Sequence, residues 1–150
     1  MLRDKITDSL KQAMKQQDKL RLCTLRLVNA AIKDRDIANR GEGKPVADEH
    51  EVQGLLARMI KQREESVKLY IQGGRQELAD NERNEIEVIR EFLPRQLDEA
   101  EAMQAIDEAI SQNAAEGLRD MGKVMAWLKE RYTGQMDFSR ASASIRERLQ

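Results

Sequence analysis

The amino-acid sequence predicts an all-α protein, in which a bundle of long helices is followed by a small three-helix unit. Three observations support this fold class. Good helix formers (Ala, Leu, Glu, Arg, Gln, Lys and Met) dominate the chain. Aromatic residues, which favour strands, make up only 3% of it. Apolar residues recur at the i, i+3, i+4 spacing of amphipathic helices along most of its length.

The first two predicted helices occupy the N-terminal forty residues. The first covers about residues 2–16 and places four apolar residues on one face: Ile6, Leu10, Ala13 and Met14. Asp18 is a suitable N-cap for the second helix, which is predicted to continue to about Ala38.

The segment GEGKPVAD, residues 41–48, is the only Gly/Pro-rich break in this part of the chain, and Asp48 can cap the helix that follows. That third helix is predicted over about residues 49–72. At 1.5 Å per residue it would be roughly 36 Å long. A helix of this length is expected to pack lengthwise against others.

The adjacent glycines Gly73 and Gly74 interrupt a helical pattern that resumes at Leu78. A phosphate-binding loop would need a preceding strand and more converging backbone amides than two glycines supply. The end of a helix, in contrast, often requires a left-handed residue, for which glycine is the usual choice. The sequence therefore predicts a turn between two antiparallel helices.

Folding the chain about Gly74 brings Arg63 close to Glu82 and Glu85. All three side chains share helix faces with apolar residues, and a charge on an apolar face needs a partner. We therefore predict structural ion pairs that join Arg63 to Glu85 or to Glu82. The alternative is a small catalytic carboxylate site, although no nucleophilic residue is expected nearby.

Pro94 marks the predicted domain boundary, because it disfavours helix at the residue before it. Residues 1–94 form the N-terminal bundle in this division, and residues 95–150 form the C-terminal unit. Asp98 can cap a helix of about residues 99–113, and another helix begins near Asp120 and stops at Gly134. Asp137 or Ser139 caps the last one.

No residue pattern for catalysis or cofactor binding is evident. The only histidine, His50, has no second histidine or cysteine at ligand spacing, which argues against zinc. No Walker A, dinucleotide-binding or G-x-S-x-G motif occurs. The single cysteine, Cys23, lies between Leu22 and Leu25 and is predicted to be a small buried core residue. We expect no cofactor and no bound metal.

The sequence contains no apolar run of transmembrane length and no signal-peptide core. A soluble, cytoplasmic protein with no membrane partner is the expectation. The formal net charge is −1, but residues 1–40 carry ten Lys/Arg against five Asp/Glu. An acidic partner is therefore expected to meet this N-terminal part first.

A row of basic residues on the second helix is the best candidate binding surface. Lys19, Arg26, Lys33 and Arg40 follow one another at intervals of seven residues and share a face roughly 30 Å long. We refer to these four residues as the basic ridge. Such a row can meet RNA phosphates, which supply much of nucleic-acid affinity. An ordinary solvated helix face would show the same charges.

Three segments of the sequence carry a family resemblance: TLRLVNAAIKDRDI (24–37), KQREESVKLYIQGGRQELADNERNEIEVIREFLPRQLDEAE (61–101) and DMGKVMAWLKERYTGQMD (120–137). The most specific parts are Tyr-x-x-Gly-Gly-Arg-x-x-Leu-Ala-x-x-Glu at residues 70–82 and Leu-Pro-x-Gln-Leu at residues 93–97. Together they resemble YqeY-type proteins, which are stand-alone relatives of the helical tail of GatB. GatB is a subunit of the tRNA-dependent amidotransferase that makes Gln-tRNA and Asn-tRNA.

The resemblance implies a non-catalytic, tRNA-binding or tRNA-associated helical module, because the tail helps to hold tRNA while the chemistry belongs to other domains. Subunits of an amidotransferase or a synthetase are the other partners that it allows, and no DNA partner is expected. The candidate RNA contacts are the basic ridge together with three cations of the C-terminal unit: Arg119, Lys123 and Lys129.

Two alternatives remain at the level of the sequence. One is an accessory carbon–nitrogen ligase or amidase activity on aminoacyl-tRNA with glutamine as amide donor, which is the activity label that the family shares with the larger enzyme. The other is a protein–protein adaptor whose basic ridge meets an acidic partner.

Overall fold

The computed structural model describes residues 2–150 and confirms the all-α prediction, since no strand occurs in this range. A 3₁₀ turn, Leu118–Asp120, precedes the sixth α-helix. The seven helices are α1 (Leu2–Gln16), α2 (Lys19–Gly41), α3 (Glu49–Gln72), α4 (Gln76–Arg90), α5 (Glu99–Gln112), α6 (Met121–Tyr132) and α7 (Phe138–Leu149).

The described residues form two compact units, one ending at Pro94 and the other beginning at Arg95. Unit 1 contains α1 to α4, and unit 2 contains α5 to α7. Each unit has a core of its own, so each is described separately.

Aspartate side chains begin four of the helices. Each accepts a hydrogen bond from a backbone N–H of the first turn and satisfies a donor that the helix itself leaves unpaired. The cap residues are Asp18 for α2, Asp48 for α3, Asp98 for α5 and Asp137 for α7. For the last helix, where the sequence offered Asp137 or Ser139, the cap is Asp137.

The core of unit 1 lies between α1, α2 and the hairpin of α3 and α4. The hairpin turns at Gly74, whose φ of 72° places it in the left-handed region that glycine adopts without strain. The largest fully buried apolar side chains of unit 1 are Ile6, Leu25, Val28, Ile32, Val52, Leu56 and Ile89.

A polar cluster fixes the Gly/Pro-rich segment to α1 and α2. Asp36 accepts two hydrogen bonds from the Arg3 guanidinium, at 2.7 and 3.0 Å, and a third from the Ala47 backbone N–H at 2.8 Å. Arg3 also donates to the Ala47 carbonyl at 2.8 Å. These bonds hold the pKa of Asp36 below its ordinary value, chiefly through the hydrogen bond from Arg3, although burial opposes the shift.

Unit 2 packs its three helices around Ile106, Val124, Leu128 and Ile145, all of them buried. Trp127, Tyr132 and Phe138 are half-buried at the edge of this core. The segment before α5 is held by the Leu97 N–H, which donates to the Gln135 carbonyl at 2.8 Å.

Several apolar residues predicted for the core are exposed instead. Cys23 is exposed, so the prediction of a buried core cysteine is wrong. Met14, predicted for the apolar face of the first helix, is also exposed, as are Ile71, Leu78 and Met103. The spacing of apolar residues shows which positions share a face but does not show how much of that face a neighbouring helix covers.

Candidate nucleic-acid interface on helix α2

The basic ridge lies along the solvent side of α2. All four of its side chains are exposed, while Thr24, Leu25, Val28 and Ile32 of the same helix are buried. Half-buried residues lie beside the ridge on the helix surface: Leu22, Asn29 and Asp36. The ridge therefore runs beside the edge where α2 meets the rest of unit 1.

Among the residues that the structure describes, none forms an ion pair with Lys19, Arg26, Lys33 or Arg40. Arg21, on the same helix but half-buried, differs because it lies 2.5 Å from a carboxylate oxygen of Glu91. The acidic residue nearest to Arg40 in sequence, Glu42, pairs with Lys44 at 3.0 Å. Asp36, four residues before Arg40, is engaged by Arg3 and Ala47. No ridge side chain is therefore held in an ion pair of unit 1, although the charge of Arg40 helps to lower the pKa of Asp36.

An apolar stripe lies next to the ridge on the exposed side of α2. It consists of Leu20, Cys23, Leu27, Ala30 and Ile37, and we call these five residues the α2 seam. The exposed fractions of its large side chains are 41% for Leu20, 45% for Leu27 and 65% for Ile37. The N-terminal end of the seam borders an open cavity of about 330 Å³, lined by Lys19, Leu22, Cys23, Arg26 and Leu27.

The sequence did not reveal the α2 seam. Periodicity alone does not separate a covered apolar stripe from an open one. Apolar residues occupy more than half of the circumference of α2, and its neighbours in unit 1 cover only the side that carries Val28 and Ile32. The exposure of the seam becomes evident only when the helices are packed.

The three candidate contacts in unit 2 are also exposed. Arg119 lies in the 3₁₀ turn, and Lys123 and Lys129 lie six residues apart on α6, which at 100° per residue puts them on different sides of it. Asp120 accepts hydrogen bonds from the backbone N–H groups of Glu116 and Gly117. Those bonds, with the charges of Lys123 and Arg119, hold its pKa below the ordinary value.

The single tryptophan does not offer an open ring to a nucleic-acid base. The Arg131 guanidinium lies 4.4 Å from the centre of the Trp127 ring, a cation–π geometry. Trp127 is also half-buried and packs against the core of unit 2. Arg131 was not among the residues that the sequence singled out.

The hairpin joins Arg63 to Glu85, with 2.8 Å between Nε and Oε2. Arg63 also donates to the Met59 carbonyl at 3.2 Å. Glu82 is half-buried close to this pair, and its pKa lies above the ordinary value because burial and the charge of Glu85 disfavour ionisation, while Arg63 opposes the shift. Ser66, the serine nearest to Arg63 in sequence, donates to the Gln62 carbonyl at 3.2 Å.

Within residues 2–150, no group of three or more His, Cys, Asp or Glu side chains is placed to hold a metal ion. In the same range, no helix combines the length and the apolar character needed to cross a bilayer.

Comparison with known proteins gives a family match and more distant relatives. A family model described as "Yqey-like protein" matches residues 3–149. A protein of Candida glabrata named "Altered inheritance of mitochondria protein 41, mitochondrial" is 32% identical over 84 residues, which are 56% of this chain and 45% of that protein. The protein of the same name in Lachancea thermotolerans is 33% identical over 84 residues, or 56% and 43% of the two chains.

The names of these relatives contradict the cytoplasmic localisation expected from the sequence, because both proteins are named as mitochondrial. The expectation rested on the absence of a recognisable targeting segment and is corrected by this finding. The match spans less than half the length of the curated relatives. The family model, in contrast, spans nearly the whole chain. The chain therefore belongs to the YqeY-like family.

Proposed function

We propose that the chain is a helical RNA-binding module that associates with tRNA and leaves bond-making to other proteins. One observation carries the proposal: four exposed cations recur at intervals of seven residues along α2, and none of them forms an ion pair among the described residues. The resemblance of the family to the helical tail of GatB supports tRNA as the nucleic acid.

The spacing of the basic ridge suits contact with a phosphate backbone. Successive ridge residues are about 10 Å apart, and the whole row is roughly 30 Å long. Long, exposed lysine and arginine side chains can adjust to phosphates over this length without fixing a base sequence. We therefore propose that the ridge positions RNA and that it does not select a sequence by itself.

Unit 2 supplies a second group of proposed contacts: Arg119, Lys123 and Lys129. Lys123 lies in the first turn of α6, where the helix end adds partial positive charge. Because Trp127 carries Arg131 on its ring, we propose phosphate contact rather than base stacking for this unit.

The test is retention of unmodified tRNA by the purified chain over a range of salt concentrations. We expect the triple variant Lys19→Glu/Arg26→Glu/Lys33→Glu to lose tRNA affinity by at least tenfold at low salt. The slope of the logarithm of the association constant against the logarithm of the salt concentration should become shallower by about two to three. The reason is that about one counterion is released for each phosphate contact, and the variant loses three contacts.

The matched control is Lys5→Glu/Lys11→Glu/Lys15→Glu on α1, which changes the net charge by the same amount at three exposed positions of the same unit. The ridge proposal requires the control to retain clearly more tRNA than the ridge variant. Equal losses of tRNA affinity in the two variants would show that only the overall charge matters. Unchanged affinity in both variants would show that α2 does not bind RNA.

The same preparation separates binding from chemistry. Incubation with misacylated Glu-tRNA and glutamine, followed by analysis of the amino acid on the tRNA, detects amide transfer or hydrolysis. We expect the amino acid to remain unchanged. Turnover by the purified chain would favour the accessory ligase or amidase activity instead.

A further inference from the structure

The members of the α2 seam follow the spacing of a coiled-coil interface. The repeat runs through positions 20, 23, 27, 30, 34 and 37, so that successive positions are alternately three and four residues apart. Position 34 is occupied by Asp34, and the other five positions are the members of the α2 seam. Alternation of three and four is the pattern by which one helix packs lengthwise against another. The stripe extends over 18 residues, or roughly 27 Å.

The basic ridge occupies the flanking position of the same repeat. Lys19, Arg26 and Lys33 each directly precede a seam position, at residues 20, 27 and 34, and Arg40 continues the row. Residues in this place contact the flanks of a partner helix and decide which partner is accepted. Four positive charges in this row favour a helix with acidic residues along the matching edge.

A second copy of this chain fits the surface poorly. In an antiparallel pair, the seam residues match when residue 27 faces residue 30, but this arrangement sets Lys19 against Arg40 and Arg26 against Lys33. In a parallel pair the two basic ridges are apart, but Asp34 of one copy faces Asp34 of the other copy within the apolar contact. Like charges at such positions are destabilising, so both self-pairings are disfavoured.

We propose that the α2 seam is a docking surface for an amphipathic helix of another protein, with apolar residues facing the seam and Asp or Glu facing the basic ridge. The partner helix would cover about 18 residues of α2 and place a basic or polar side chain opposite Asp34. The apolar contact area gives affinity, and the charged flank gives specificity and orientation.

This docking goes beyond RNA binding and does not depend on it, because the seam side chains are apolar and have no phosphate to meet. The two functions share the ridge cations, however. A docked acidic helix would occupy charges that RNA also needs, so the partner and RNA exclude each other from α2.

The experiment uses the full chain and two designed helical peptides, each 21 residues long, with leucine at the three–four spacing except for a glutamine at the position that faces Asp34. One peptide carries glutamate at the flanking positions and the other carries lysine. The native thiol of Cys23 serves as the reporter, because it is exposed and lies within the seam. Its alkylation rate is followed by mass spectrometry, and peptide affinity is followed by fluorescence anisotropy.

We expect the glutamate peptide to bind and to slow Cys23 alkylation at least fivefold, and the lysine peptide to do neither. The double variant Leu20→Gln/Leu27→Gln should weaken glutamate-peptide binding at least tenfold. The control Leu69→Gln/Leu118→Gln changes two leucines that are equally or more exposed on other elements, and it should leave binding unchanged.

The same variants distinguish docking from RNA binding. Leu20→Gln/Leu27→Gln should retain tRNA as well as the wild type, even if the ridge variant does not. Equal binding of the two peptides, unchanged peptide binding by the seam variant, or a loss of tRNA retention in the seam variant would each overturn the proposal.

Discussion

Arg63 of α3 and Glu85 of α4 form an ion pair across the hairpin, with their side chains only 13% and 20% exposed. The pair lies on the same faces as Met59, Ile60 and Ile86, which are buried. The ion pair therefore links α3 and α4 directly beside the apolar contact between the two helices.

Replacing Arg63 by methionine is expected to lower the free energy of unfolding by about 2 to 4 kcal/mol, because Glu85 then stays largely buried without its partner. Urea denaturation followed by circular dichroism measures this change. Arg83→Met is the control, since Arg83 and Asp80 form an exposed pair whose loss should cost no more than about 0.5 kcal/mol. Equal losses in the two variants would assign Arg63 no special structural role.

Glu82 gives a pH-dependent prediction at the same hairpin. The pKa of Glu82 is raised in the folded chain above its ordinary value of 4.5. Its contribution to stability is therefore fully present below pH 4.5 and is lost as the pH rises through the pKa that Glu82 has in the folded chain. At pH 7 the ionised carboxylate is therefore unfavourable. Glu82→Gln should raise the urea midpoint at pH 7 and change it little at pH 4.

The exposed Glu77→Gln variant on the same helix is the control for this comparison. A larger stabilisation by Glu82→Gln at pH 4 than at pH 7 would contradict the direction of the shift.

Asp36 should show the opposite dependence on pH. Its pKa is lowered in the folded chain, so its bonds to Arg3 and Ala47 stabilise the fold above the ordinary aspartate pKa of 3.8 and are lost as the pH falls through the lower folded value. Asp36→Asn is expected to cost about 1 to 2 kcal/mol at pH 7, since the Arg3 side chain is partly exposed.

Urea denaturation at pH 7 and at pH 2.5 measures both the cost and its loss in acid. Asp34→Asn, at an exposed position of the same helix, should leave stability within about 0.5 kcal/mol of the wild type. If Asp36→Asn cost as much at pH 2.5 as at pH 7, the ion pair would not be the cause.

The two units should respond independently to core substitutions. Leu128 is fully buried in unit 2, which contains the only tryptophan, and Leu56 is fully buried in unit 1. Leu128→Ala should destabilise unit 2 by about 3 to 5 kcal/mol and shift the unfolding transition seen by Trp127 fluorescence. Leu56→Ala should leave that transition in place while it shifts the circular-dichroism signal. A shift of the Trp127 transition in Leu56→Ala would show that the units unfold together.

The helices and their starts could be predicted from the sequence because the signals are local. An aspartate before an apolar periodic run supplies the acceptor that the first turn needs, and this holds for Asp18, Asp48 and Asp98. The turn at Gly74 follows from the need for a left-handed residue. Once that turn is fixed, the antiparallel register alone brings Arg63 within reach of Glu85.

Contacts between distant segments could not be predicted in the same way. Nothing in the local sequence indicates that Arg3 lies against Asp36, 33 residues away, or that Ala47 completes the cluster. The exposure of Cys23 and Leu27 depends on which side of α2 its neighbours cover, and a pattern of apolar residues does not contain that information. The RNA contacts on the ridge remain a prediction.

The only thiol and the only indole of this chain belong to different units, Cys23 to unit 1 and Trp127 to unit 2. With an energy-transfer acceptor attached to the exposed sulfur of Cys23, the efficiency of transfer from Trp127 would report the distance between the two residues. Donor quenching, recorded before and after addition of tRNA or a peptide, would report whether the two halves change their separation, without the introduction of a single foreign residue.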